Sequence, residues 1–175
     1  MPKFLRLRKI AAIAATVSFI GLTQGVAQEM SLPGGFRPGS SLDEAKHHAA
    51  SQGWKLVSLS AEQPSSWIVW DQKIGLHVCD NIVGGISQSI PGDVDQFART
   101  VFEHQRERGQ PSVQIVTFAT GSIRISNIDA RFPVKDGVGV VIQLGSTGGE
   151  LAISSHYYAE GRCSAENQAS VPNGG

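Results

Sequence analysis

No stretch of this chain is apolar for long enough to cross a bilayer as a helix. The longest uncharged apolar run, Ile10 to Leu22, has 13 residues, against the ~20 that a spanning helix needs. Charge of one sign is lacking too, since 15 Lys and Arg balance 15 Asp and Glu. Nucleic acid and anionic lipid both require a concentrated positive patch, so neither is expected as a partner. Cysteine is scarce: Cys79 and Cys163 are the only two. They do not form a Cys-x-x-Cys pair, which argues against a redox-active dithiol. Catalytic loop motifs are absent as well. Gly145-Ser146-Thr147-Gly148-Gly149 lacks the Gly-Lys-Ser/Thr ending of a phosphate loop and leads into a strand pattern rather than a helix. Gly85-Ile86-Ser87-Gln88-Ser89 has Ser89 where a nucleophile elbow needs glycine, and Pro91-Gly92 separates it from the next helix.

What is present begins with an address. Lys3, Arg6, Arg8 and Lys9 precede the apolar run, and Gly25-Val26-Ala27 supplies small residues after it. That is the organisation of a secretory signal peptide over residues 1–27, expected to be cleaved after Ala27. No Arg-Arg pair precedes the run, so the general export route is favoured over the twin-arginine one. The four basic residues of the signal leave with it, so the mature chain carries 11 basic against 15 acidic side chains, a net charge of −4. The expected product is soluble, in the periplasm or outside the cell, without stable membrane insertion.

An oxidising compartment makes a Cys79–Cys163 disulfide the natural reading of two cysteines. The rival use is a metal site, because His77-Val78-Cys79 puts an imidazole and a thiol on one face of a strand. A metal needs three or four converging ligands, and the remaining histidines are scattered. No metal or other cofactor is therefore expected.

Residues 28–40 are rich in Pro and Gly without periodicity and read as a flexible leader. Ser41-Leu42-Asp43-Glu44 is a capping box that opens a helix ending near Gly53, with Leu42, Ala45 and Ala49 as its narrow apolar stripe. His47 and His48 point about 100° apart on that helix and cannot serve one site. Strand patterns follow at Lys55–Ser60, Ser66–Asp71, Ile74–Cys79 and, bent at Gly84-Gly85, Ile82–Ile90. Asp93 opens a second helix in which Val94, Phe97, Ala98, Val101 and Phe102 form a broad apolar face, closed by Gly109 and Pro111. Arg106 and Arg108 suit the negative end of its dipole, and His104 at the edge of the face reads as structural. The strand patterns Ser112–Ala119, Ser122–Phe132, Gly137–Leu144 and Glu150–Tyr158 are separated by short turns and predict an antiparallel meander. Residues 164–175 are polar and read as a disordered tail.

The expected fold class is α+β, a single domain over residues 41–163. Two amphipathic helices pack on one face of a mostly antiparallel sheet of about seven strands. A duplicated α-β-β-β unit would account for the similar openings of the two halves. Strand alternation places His77 and His156 opposite the apolar positions of their strands, with Tyr158 beside His156. These three residues are the candidate binding surface on an open sheet face, and no catalytic set is assigned. The functional expectation is a non-catalytic envelope protein that binds a small ligand or another envelope protein. The alternative is a small secreted hydrolase that uses one of the strand histidines.

Overall fold

In the computed structural model, which describes residues 32–161 and 163, the chain is broadly α+β, as expected, and dominated by one sheet. The expected signal and tail lie outside the described residues. Helix α1 (Leu42–Ser51) is followed by β1 (Leu56–Ser60), β2 (Gln63–Val69), β3 (Ile74–Cys79) and β4 (Ile82–Pro91). Helix α2 (Val94–Arg108) is followed by β5 (Ser112–Thr120), β6 (Ile123–Lys135), β7 (Val138–Thr147) and β8 (Glu150–Ala159). The sheet has eight strands in the order β1-β2-β3-β4-β8-β7-β6-β5, all described pairs being antiparallel. Each half is thus one helix and a four-stranded meander, and the last strand of each half pairs with the other at the sheet centre.

Eight strands stand where about seven were expected, and each half is ordered α-β-β-β-β rather than α-β-β-β. The second strand begins at Gln63 rather than Ser66. Its first residues are polar and give no periodic signal, but backbone pairing of Ser60 with Gln63 draws them into the sheet.

Local chemistry starts both helices. The Ser41 hydroxyl accepts from the Glu44 backbone N–H at 3.2 Å, and the Glu44 carboxylate accepts from the Ser41 N–H at 2.7 Å. These bonds hold the Glu44 carboxyl below its ordinary range. Asp93 accepts from the Gln96 N–H at 2.8 Å. Such caps satisfy backbone donors that a helix leaves unpaired.

One row of cross-strand neighbours traces the covered face: Trp67, Leu76, Ile86, Tyr157, Val140 and Phe132. Lys46 of α1 places its ammonium 5.0 Å from the Trp67 ring centroid, and His104 of α2 packs on Phe132 and Tyr157. Both helices therefore lie on this face. Val140 and Ile142 are fully buried beneath them, as are Val69, Ile74 and Val83.

Two local expectations change. Residues 32–40 are packed rather than loose. Phe36 is 2 % exposed, and Gly39 and Ser40 exchange backbone hydrogen bonds with Val83. A single buried aromatic anchors a segment whose composition reads as linker. His48 is partly buried: its Nε2 is 2.7 Å from the Gly34 carbonyl oxygen, with Phe36 and Trp54 against the ring, whereas His47 is exposed. Arg108, read as a helix-end cation, is buried and donates to the Val138 carbonyl at 2.8 Å. His104 is structural as expected, bonded to the Thr100 carbonyl and the Tyr157 hydroxyl.

Candidate functional site

Among the described residues, the other face of the sheet carries no helix. Strand alternation and register put its residues into four parallel rows. His77, Gly85, Tyr158 and Gly139 form the first, and Gly75, Ser87, His156, Val141 and Arg131 the second. Ser89, Ser154, Gln143 and Asp129 make the third, and Pro91, Ala152, Gly145 and Asn127 the fourth. His77, His156 and Tyr158 thus share one face.

Cys79 and Cys163 form a disulfide, with Cα atoms 5.8 Å apart, at the end of this face beyond His77. The bridge lies over Gly84, where a Cβ would collide with Cys163 and come within 3.2 Å of the Cys79 sulfur. Gly84 is the additional residue of a β-bulge between the pairs His77–Gly85 and Val78–Val83. The bend marked by Gly84-Gly85 therefore makes room for the bridge. The His77 ring nitrogen and both sulfurs lie within 4.8 Å of one another, a closer group than the sequence suggested. With both sulfurs in the bridge there is no thiolate pair to offer a metal.

Toward the opposite end the face is concave. A groove of about 1070 Å³ spans from β2 to β6, with Ser89, Ser154, Gln143, Asn127 and Gly145 along its floor. Trp70 and Lys73 stand at one wall, and Thr147 and Glu150, at the strand ends that flank the β7–β8 turn, also line it. Trp70 is 63 % exposed despite its size. It is held by the turn of 3₁₀ helix at Trp70–Gln72, which closes with Lys73 in the left-handed conformation. Neither His77, His156 nor Tyr158 lines this groove; they continue the same face beyond it.

Between groove and histidines sits a buried carboxylate. Asp129 is 7 % exposed and accepts from Gln143 Nε2 at 2.7 Å and Arg131 Nη2 at 2.9 Å. Such charge-assisted bonds fix the Gln143 amide at the groove floor. Burial holds the His156 imidazole below its ordinary value; the Asp129 carboxylate opposes that shift and the Arg131 guanidinium adds to it. Ser87 lies directly across from His156, yet no hydrogen bond joins Ser87, His156 and Asp129 among the described residues. The carboxylate serves Gln143 and Arg131 rather than orienting the imidazole, as a nucleophilic triad would require.

Sequence reasoning did not single out Trp70, Asn127, Asp129, Arg131 or Gln143. A signal existed in β6, where Asn127, Asp129 and Arg131 alternate with Ile128, Ala130 and Phe132. No protein-family model matches the chain, and neither a curated protein nor a solved structure matches it.

Proposed function

We propose that this chain is an exported, non-catalytic binding module whose ligand lies in the groove of the open sheet face. The ligand class we infer is a neutral saccharide chain, such as the glycan of a cell wall. The observation that carries this reading is the lining itself. An exposed indole, Trp70, lines the same groove as the hydroxyls and carboxamides of Ser89, Ser154, Asn127 and Gln143, with Ile68, Ile90 and Leu151 adding apolar surface. Sugar rings present apolar C–H faces that stack on an aromatic ring and hydroxyl edges that suit amide side chains. Lys73 and Glu150 are the only charged lining residues and offset one another, which favours a neutral ligand. Export is supported by the signal-like N-terminus and the disulfide. No helix among the described residues is long and apolar enough to cross a membrane.

The test is titration of the exported protein with soluble N-acetylglucosamine oligomers, followed by calorimetry. Binding should weaken at least tenfold in Trp70→Ala, a loss of ~1.4 kcal/mol or more, and also fall in Asn127→Ala. His77→Ala and His156→Ala should weaken it only modestly. No binding, or binding indifferent to Trp70, overturns the saccharide reading. Hydrolysis of the oligomer that is lost in His156→Ala would instead establish the hydrolase alternative.

A further inference from the structure

The two edges of the sheet are not alike. β1 is a five-residue strand whose pairing with β2 is broken by a register shift between Ser58 and Ser60. Short, irregular edges resist pairing with other strands. β5 has none of these protections. Its nine residues, Ser-Val-Gln-Ile-Val-Thr-Phe-Ala-Thr, include no charge and no proline, and all nine are exposed. They pair with β6 in nine unbroken steps, leaving the outer edge straight.

The exposure is apolar on both faces of the strand. Val113 and Ile115 lie on the helix side; Val116 and Phe118 lie on the open side. Helix α2 adds to it. Of its apolar face only Phe97 and Val101 are partly covered, while Val94, Ala98 and Phe102 remain exposed at i, i+4 and i+8. His104 reaches toward β8 through Tyr157, and the Ala98 stripe is about 120° round the helix from it. Helix α2 packs on β6 and β7, the strands nearest β5, which brings this stripe close to the β5 edge. Val94, Phe102, Val113 and Ile115 are each between 59 % and 71 % exposed.

We propose that a second copy of this chain covers this surface, β5 pairing antiparallel with its own copy about a twofold axis through Val116. The product is a continuous sheet of two eight-stranded halves. The strand is its own complement in that register. Val116 meets Val116, Gln114 meets Phe118, Ile115 meets Thr117 and Val113 meets Ala119, and no charge opposes a like charge. A twofold axis normal to the sheet keeps faces matched, so the two α2 stripes flank the new ribbon on one side. The size is adequate. Val94, Phe102, Val113, Ile115, Val116 and Phe118 together expose on the order of 600 Å² per copy, at ~200 Å² for a large free side chain. A stable interface takes ~800 Å² per partner, and the strand backbone supplies the rest.

Analytical ultracentrifugation of the exported protein tests this directly. The wild type should be a dimer with a micromolar or tighter dissociation constant. Val116→Lys and Ile115→Lys should each weaken it at least a hundredfold, with far-ultraviolet circular dichroism and melting temperature preserved. Ser58→Lys on the β1 edge should leave the dimer intact. Val116→Cys should cross-link to itself on mild oxidation, as only this register places the residue opposite its copy. A wild type that stays monomeric, or a dimer insensitive to the β5 substitutions, overturns the proposal. So does a dimer lost on β5 substitution whose Val116→Cys form fails to cross-link, since the partner strand would then lie in another register.

Discussion

The Tyr158 ring lies over Gly139, its cross-strand neighbour, in the space where a side chain at position 139 would stand. The glycine is thus a seat for the aromatic ring on the open face. Gly139→Ala should displace Tyr158 and cost ~1–3 kcal/mol, the usual penalty of overpacking. Urea denaturation measures it. In the Tyr158→Ala background the same glycine substitution should cost much less, because the clash has gone; equal costs in both backgrounds would show that the ring is not the reason.

The disulfide closes a sequence separation of 84 residues. Loop entropy alone makes such a bridge worth roughly 4–5 kcal/mol. Cys79→Ser and Cys163→Ser should lower stability equally, and the double substitution no further, since all three remove one cross-link. Gly84→Ala should reduce stability in the oxidised protein more than in the Cys79→Ser, Cys163→Ser background. Thermal melts of the four proteins decide the point.

His156 predicts a pH dependence. Its folded pKa lies below the ordinary value of 6.5, chiefly through burial, so the unfolded chain takes up a proton at a higher pH than the folded one. The neutral imidazole contributes stability that is complete above pH ~6.5 and is lost as pH falls toward the folded pKa. Stability should therefore decline as pH falls below about 6.5, and His156→Gln should flatten that part of the curve. An unchanged slope would place the titrating group elsewhere.

How far the sequence reached depends on whether a feature is local. The Ser41–Glu44 capping box and the alternation of Ile74–Cys79 are complete within a few residues and are found as read. The disulfide followed from a count of two and an address. The burial of Phe36 was not legible, because nothing in a Pro/Gly segment says what it will lie against. Nor did the apolar face of α2 disclose that Val94 and Phe102 would stay uncovered: amphipathic width sets what could be buried, not what the neighbouring strands reach. The groove was hardest. Its floor is assembled from β4, β6, β7 and β8, and the register that aligns Ser89 with Ser154, Gln143 and Asp129 is a property of the assembled sheet.

The pairing of β4 with β8 also sets an order in time. A ribosome releases the first half of the chain early, but β4 gains its outer neighbour only when residues 150–159 have been made. Until then both β4 and β7 are ragged borders. The sheet is closed by its last strand, and Cys163 follows four residues later to lock it. A chain built this way cannot join its two meanders into one sheet until its eighth strand is present.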